Sequence, residues 1–318
     1  MIRRLLPFFC AVVLLWMPFR ALAFAIAPAT LDLSGKRGET IEDSIAIINN
    51  GSAEQTYDLG TLKFVPGDAS TPSFIPFETD HSGLPEWIAF PVKTVTIPAN
   101  TKVDVPFTVT IPQDVPSGTV YAAITVSAAS SNTVASNGAT IAAKMASLLF
   151  VTVEGETVER LSLLDLSSSN EADGPFELSR QFAFRVQNQG NVASVPTGTI
   201  TLTDSLGRIV ASQSINEEGG RVLPMTTRSF SGSIGPNPNG FVETVRSQLT
   251  NFVAGPVSAT LTISTGTQTL TKSFSYWVIP LHLILTAAMA VAILLALWKL
   301  LSRGRDRLGR ISPITRRD

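Results

Sequence analysis

Cysteine and histidine are almost absent from the sequence. Its 318 residues contain one cysteine and two histidines. Cys10 lies in the N-terminal apolar segment, so a chain that has lost this segment has no disulfide, no thiol nucleophile and no cysteine-ligated zinc. His81 has no sequence partner for a catalytic triad or a metal site, and we interpret it as a solvated loop residue.

Charged residues are also few, at 15% of the chain, and the net charge of -1 hides an uneven distribution. The basic residues concentrate at the two ends, which leaves the body between them acidic. Nucleic-acid binding requires a basic face, so we expect no nucleic-acid partner.

Sequence motifs of catalysis are missing as well. The chain has no glycine-rich phosphate loop, no nucleophile elbow and no HExxH motif. Neighbouring carboxylates such as Glu42 and Asp43 would point to opposite sides of a strand and could not flank one scissile bond. We therefore expect a protein that is not an enzyme, with no catalytic residues, no metal and no small-molecule cofactor.

Residues 1–23 have the pattern of an export signal. Arg3 and Arg4 precede an apolar run, and small residues lead to Ala23. This order predicts a signal peptide cleaved after Ala23. A retained N-terminal anchor is the alternative, although the apolar run is shorter than the ~20 residues that span a bilayer.

Residues 276–301 form a second apolar segment, which predicts a transmembrane helix. No Asp, Glu, Lys or Arg occurs between Ser273 and Trp298. As a helix, residues 277–301 would be about 37 Å long at 1.5 Å per residue, which is enough to cross a bilayer. A buried helix of a soluble domain is the alternative. The predicted membrane-interface anchors are Tyr276, Trp277, Trp298, Lys299 and Arg303.

Seven Lys and Arg residues occur from Lys299 onward. Lys299 and Arg303 are the two predicted anchors among them, and the other five follow Arg303 in the basic tail at 302–318. The positive-inside rule then places the C-terminus in the cytoplasm and the N-terminal domains outside the membrane. The expected location is therefore the cell membrane, with a single pass.

The body of the chain shows the alternation of half-buried strands. Val103, Val105, Phe107 and Val109 alternate with polar residues and Pro106, and similar runs recur through residues 24–275. The spacing of short strands and turns predicts β-sandwiches at 24–155 and 156–275. The predicted fold class is all-β, with two tandem immunoglobulin-like β-sandwich domains followed by one transmembrane helix.

The two predicted domains share a faint repeat. A strand ends at Asn49-Asn50-Gly51 in the first and at Asn188-Gln189-Gly190 in the second. Asn and Gly both accept a left-handed backbone, so the motif predicts a turn of that kind after each strand. An ordinary hairpin could end in the same way.

One helix is predicted in the second domain, at residues 241–252. Phe241, Val245, Leu249 and Phe252 recur at helical spacing, with Gly255 after them. Such a stripe is usually part of a core, and we interpret the helix as a cap on one end of the sandwich. A helix that binds a partner is the alternative.

The segment from 71 to 91 is rich in proline and aromatic residues. Phe74, Phe77, Trp87 and Phe90 could form a rigid patch on which a sugar or peptide stacks. The alternative is that they cap the sandwich core, since a long loop needs its own small core.

Residues 165–174 resemble a calcium loop only loosely. Asn170, Glu171 and Asp173 lack the regular ligand spacing and the closing glutamate. We expect no calcium site there.

Several segments of the first domain share a pattern of strands and turns, namely 31–33, 38–40, 47–51, 94–101, 109–112 and 117–124. Together they resemble the N-terminal domain of the WxL-interacting proteins of bacterial cell surfaces. That family also has a signal peptide, two sandwich domains, a C-terminal membrane helix and a short basic tail. The resemblance implies a protein of the cell envelope that binds peptidoglycan through its first domain and surface-protein ligands through its second. The Thr-Thr-Asn segment frequent in that first domain is absent here, and residues 71–91 are an insertion.

Two functions follow as hypotheses. In the first, the protein is a non-enzymatic envelope protein whose domains bind cell-wall polymer or another surface protein. In the second, it is a membrane-tethered assembly factor that offers a sheet edge to exported surface or pilus subunits, by strand addition. An unpaired apolar edge in the first domain would favour the second function, and edges blocked by Lys or Pro would count against it.

Overall fold

A computed structural model of the protein describes residues 24–66, 74–77, 80–129, 144–169, 176–265 and 268–308. The predicted signal peptide, its cleavage site after Ala23 and most of the basic tail lie outside the described residues. The chain divides into two compact units: the first contains the described residues up to Val158 together with Gly190–Ala193, and the second contains the other described residues from Glu159 onward. Both units are all-β and immunoglobulin-like.

The first unit contains ten strands and one short helix in its described part. In chain order they are β1 (Phe24–Ala27), β2 (Thr30–Gly35), β3 (Thr40–Asn49), β4 (Gln55–Pro66), β5 (Phe74–Phe77), α1 (Leu84–Trp87), β6 (Ile88–Ala89), β7 (Thr94–Ile97), β8 (Thr101–Thr110), β9 (Gly118–Ala128) and β10 (Lys144–Val153). One sheet has the order β1-β3-β8-β6, and the other has the order β2-β10-β9-β4, with β5 and β7 both paired to β4.

The core of the first unit lies between these two sheets. On β8 the side chains of Val105, Phe107 and Val109 are buried, while Lys102 and Pro106 are exposed, which confirms the predicted alternation. The buried set also draws on β3, β9 and β10, and includes Ile45, Ile47, Tyr57, Ile124, Val126, Leu149 and Val151.

The N-terminal residues Phe24–Gly35 form two strands that belong to two different sheets. β1 pairs antiparallel with β3, whereas β2 pairs parallel with β10. Pro28 lies between them and has no N–H to donate to a ladder, so the strand is interrupted there. The N-terminal segment therefore contributes to the edges of both sheets.

The second unit contains seven strands and two helices in its described part, with one helix between the fifth and sixth of these strands and the other after the last. They are β11 (Leu161–Ser169), β12 (Arg180–Asn188), β13 (Thr197–Asp204), β14 (Ile209–Ile215), β15 (Thr227–Ile234), α2 (Phe241–Thr250), β16 (Gly255–Thr265), β17 (Gln268–Val278) and α3 (Leu281–Leu308). The sheets β11-β12-β15 and β14-β13-β16-β17 enclose a core that includes Phe184, Val186, Ile200, Leu202, Leu261 and Ile263.

The apolar C-terminal helix begins at Leu281, so the predicted start at 276 is wrong. Strand β17 continues to Val278, which pairs with Gly255 and is buried in the second core. Pro280 ends the strand and precedes the first turn of α3, a position where its missing N–H has no cost. Residues Leu281–Ser302 have a mean hydropathy of 2.3 and are long enough to cross a membrane.

The repeated Asn-x-Gly motif acts through the asparagine side chain. Asn49 is buried, donates from Nδ2 to the carbonyls of Ala53 and Ile97, and accepts a bond at Oδ1 from the Gly51 N–H. Asn188 is equally buried and donates to the Val222 carbonyl at 3.0 Å. The expected left-handed backbone is wrong, because neither Gly51 nor Gly190 has a positive φ. Each asparagine instead ties the end of its strand to a distant loop.

Replacing Asn49 with alanine should lower the free energy of unfolding by about 1–3 kcal/mol, because buried backbone groups lose their partner. Urea unfolding of the purified protein measures the change. Thr110→Ala is the control, since the Thr40–Thr110 hydroxyl pair is exposed and its loss should cost within about 0.5 kcal/mol. Equal effects of the two substitutions would contradict the role given to Asn49.

Candidate functional site: the open edge of strand β10

Strand β10 has a partner on both sides along only part of its length. β9 pairs with all of it, from Lys144 to Val153. β2 pairs with it only from Leu148 onward. In the part of the chain that the structure describes, no strand pairs with Met145–Ser147 on the β2 side. We call the segment Lys144–Ser147, which contains these residues, the open edge.

The direction of the backbone groups at the open edge follows from the last bonds of the ladder. The Leu148 N–H donates to the Ala29 carbonyl at 2.9 Å, toward the β2 side. N–H groups two residues apart on a strand point to the same side, so the Ala146 N–H also points to the β2 side. The Ser147 hydroxyl donates to the Pro28 carbonyl at 2.7 Å, at the point where the chain leaves for the other sheet.

A groove lies on the outer face of the sheet beside the open edge. Thr125 stands opposite both Ala146 on β10 and Gly60 on β4, so these three residues form one row across the sheet. Because Gly60 and Ala146 are small, the side chains of this row do not extend far from the outer face of the sheet. The groove has a volume of about 330 Å³ and is lined by Asp58, Leu59, Gly60, Thr61, Leu62, His81, Thr125, Ser127 and Lys144.

The loop that carries His81 is held at the rim of this groove by Lys63. The Lys63 Nζ donates to the Asp80 carboxylate at 2.7 Å and to the Ser82 hydroxyl at 3.0 Å. The bond from Lys63, with further bonds from Ser82, holds the pKa of Asp80 well below its usual value. His81 itself is exposed, in accord with its interpretation as a solvated residue.

Strands β3 and β8 also have a second partner strand along only part of their length, and the remaining part of each is protected against pairing. On β8, only Thr108 and Val109 pair with β6, and the remainder carries the exposed pair Lys102–Asp104 and Pro106. On β3, the stretch that extends beyond β1 carries Glu42 and Asp43. Charges and proline are the usual protection of a sheet edge. Beyond Lys144, the open edge of β10 has neither.

An apolar outer face continues from the open edge toward the end of β10. Phe150 is buried and stands opposite Tyr121, whose ring lies 5.0 Å from that of Phe64. Burial raises the pKa of Tyr121. Leu148 and Ala123 form the row between these rings and the groove.

The four aromatic residues proposed as a ligand patch occupy different positions. Trp87 ends α1 and Phe90 follows β6, and both pack against the first core, with the rings of Phe90 and Phe107 6.2 Å apart. Phe74 and Phe77 are the ends of β5, which pairs with the end of β4. Their side chains lie outside the described residues. Trp87 and Phe90 thus contribute to the core.

Asp165, at the start of the segment compared with a calcium loop, is bonded to an arginine. Arg185 donates to its carboxylate through Nε at 2.7 Å and through the backbone N–H at 3.1 Å. These bonds, the side-chain one above all, lower the pKa of Asp165. Residues 170–174 of the segment lie outside the described residues.

The predicted membrane-interface residues divide between the second sandwich and α3. Tyr276 lies in β17, donates to the Leu178 carbonyl at 2.8 Å and has the Arg180 guanidinium 4.3 Å from its ring centre. Trp277 is exposed on the same strand, just before the helix. Trp298 and Lys299 are exposed near the other end of the apolar span. Arg303 belongs to α3, but its side chain lies outside the described residues.

The open edge was not found from the sequence. The parallel pairing of β2 with β10 joins residues far apart in the chain. Nothing local in the sequence marks where such a pairing stops. The one usable signal is Pro28, because a strand that contains proline cannot continue its ladder.

No protein-family model and no curated protein matches the chain. Solved structures similar to it include the class 5 fimbriae chaperone CfaA, with 16% identity, a TM-score of 0.40, and coverage of 79% of this chain and 98% of CfaA. The YadV chaperone has 10% identity and a TM-score of 0.40, with coverage of 80% and 100%. The E. coli chaperone DraB has 12% identity and a TM-score of 0.36, with coverage of 79% and 96%. The function below is therefore argued from the residues of this chain.

Tyr276 provides a test of the packing at the end of the second sandwich that precedes α3. Burial raises its pKa to about 12, against the favourable effect of Arg180 on the phenolate. A folded-state pKa above the unfolded value of about 10 stabilises the fold below pH ~10, and this contribution is lost as the pH rises toward the folded value. In the difference between the ultraviolet titrations of the native protein and Tyr276→Phe, we expect a midpoint near 12. A midpoint near the ordinary tyrosine value would contradict the packing described.

Proposed function

We propose that the protein is a non-enzymatic, membrane-anchored assembly factor that holds an exported protein subunit by strand addition at the open edge of β10. The observation that carries the proposal is the end of the β2 ladder at Leu148, which leaves the N–H of Ala146 directed away from β9. An extended segment of a partner could continue the sheet from there.

The surroundings of the open edge suit an added strand. Its backbone would pair with Lys144–Ser147, and every second side chain would point to the outer face, next to the small side chain of Ala146. In this mode of recognition the backbone bonds give affinity, and the pockets for alternate side chains give specificity. The parts of β3 and β8 without a second partner carry charge or proline, whereas the open edge of β10 carries neither beyond Lys144, which favours pairing there.

The membrane part of the proposal rests on α3. Its apolar span is exposed along its length and is followed by Lys299 and the basic tail. A helix of this length and composition would cross the bilayer, with the basic end in the cytoplasm and both sandwiches outside. The open edge would then face the compartment into which subunits are exported.

Binding of cell-wall polymer, which the resemblance to WxL-interacting proteins implies, is the competing function. Its candidate residues were the four aromatics of the 71–91 segment, and two of them pack against the core. We therefore favour a protein partner, and the crosslinking experiment below separates the two.

A photoreactive amino acid placed at Lys144 should form a crosslink to an exported protein in intact cells. The same amino acid at Asp104, exposed on the blocked strand β8, should form none. Ala146→Pro, which removes the outward N–H, should abolish the crosslink at Lys144, whereas Ala146→Ser, which retains it, should not. Mass spectrometry of the adducts identifies the partner.

Two results would reject strand addition at this edge. One is a crosslink of equal yield at Lys144 and Asp104. The other is a crosslink at Lys144 that persists in Ala146→Pro. Adducts consisting of cell-wall polymer would support the competing function instead.

The proposed orientation predicts which residues are reached from outside the cell. In a Cys10→Ser background, Lys102→Cys should react with a membrane-impermeant maleimide in intact cells. Ser312→Cys should react only after the membrane is permeabilised. The reverse pattern would contradict the orientation, and reaction of both in intact cells would contradict the membrane span.

A further inference from the structure

Helix α2 exposes its apolar side and directs polar residues toward the rest of the second unit. Its polar residues Thr244, Ser247 and Gln248 line a cavity of about 220 Å³ together with Glu177. None of its residues is buried. Its apolar stripe is exposed, with Val242 at 78% and Leu249 at 60%. The predicted cap on the core, with this stripe facing inward, is therefore wrong.

Gln248 explains this orientation. Its Nε2 lies 3.1 and 3.2 Å from the two carboxylate oxygens of Glu177, and its Oε1 accepts a bond from the Leu283 N–H at 2.9 Å. Leu283 is in the first turn of α3, where backbone N–H groups have no partner within the helix. One glutamine thus joins α2 to the sandwich and to the start of α3. The side of α2 that carries Gln248 must therefore face the rest of the second unit.

The stripe of α2 lies beside the beginning of the apolar span. The ring of Phe241 is 5.7 Å from that of His282 in an edge-to-face arrangement. At the other end of α2, Phe252 lines an apolar groove with Trp277 and Ile284. The exposed apolar surface is therefore continuous from α2 through Trp277 onto the lipid-facing side of α3.

We propose that α2 lies in the surface of the bilayer that α3 spans, with its apolar stripe (Phe241, Val242, Val245 and Leu249) and Phe252, just beyond the helix, turned toward the lipid. The proposal rests on the membrane span of the proposed function. An amphipathic helix in this position inserts its apolar face about 5–10 Å into the boundary between headgroups and acyl chains.

Lipid suits this stripe better than a protein partner does, because the neighbouring surface of α3 is itself the surface that a bilayer would cover. The two charges of α2, on Glu243 and Arg246, cancel, so attachment would depend on apolar burial and not on anionic headgroups. The second sandwich would then be held to the membrane at two places, through α3 and through α2.

Fluorescent labels at single cysteines test the proposal in the full-length Cys10→Ser protein. The protein is placed in phosphatidylcholine nanodiscs with one copy in each, which excludes contact with a second copy. Leu249→Cys reports on the apolar stripe. Thr250→Cys, exposed about 100° further round the same helix and outside the apolar stripe, is the matched control, and Val291→Cys reports on the span itself.

We expect nitroxide lipids labelled near the headgroup to quench the Leu249→Cys label strongly and the Thr250→Cys label little. Aqueous iodide should show the reverse order. Replacing part of the phosphatidylcholine with phosphatidylserine should leave the result unchanged.

Three results would overturn the proposal. If iodide quenches the Leu249→Cys and Thr250→Cys labels equally while lipid nitroxides quench the Val291→Cys label, α2 is in water but the span stands. If lipid nitroxides do not reach the Val291→Cys label, the span itself fails. If the Leu249→Cys label is shielded from iodide but not quenched by lipid, another part of the protein covers the stripe.

Discussion

The need of every strand for a hydrogen-bonded neighbour determines the candidate site of the first unit. The segment that holds β1 and β2 serves two sheets, because it pairs with β3 up to Ala27 and with β10 from Thr30. Pro28, which cannot donate, separates the two ladders. A segment divided in this way cannot also cover Lys144–Ser147, so the open edge of β10 is a direct consequence of the crossing between the sheets.

The same need for a neighbour explains why the incompletely paired parts of β3 and β8 carry different side chains from the open edge of β10. Where β3 and β8 lack a neighbour, charged side chains and Pro106 stand at the edge, and a partner strand would have to displace or bury them. The row of Ala146, Thr125 and Gly60 instead presents small, uncharged residues beside a groove. Because β3 and β8 are protected in this way and the open edge of β10 is not, we regard the open edge as the candidate binding site.

The sequence predicted the strands well because alternation is local, as β8 shows with Val105, Phe107 and Val109 directed inward. It failed where the deciding contact is distant. The start of the apolar helix was misplaced because Tyr276 to Val278 suits a strand and a membrane helix equally. Only the pairing of Val278 with Gly255 assigns these residues to the sandwich. The parallel pairing of β2 with β10 likewise leaves no local pattern.

The apolar stripe of α2 shows the limit of periodicity most clearly. Residues at helical spacing define a face, but they carry no information about whether that face meets a core or a lipid surface. The polar side of the helix decides the question here, since Gln248 must reach both Glu177 and the Leu283 N–H. A helix bound to its own domain through polar groups leaves its apolar side directed outward, and beside an apolar span the surface that can cover that side is the membrane.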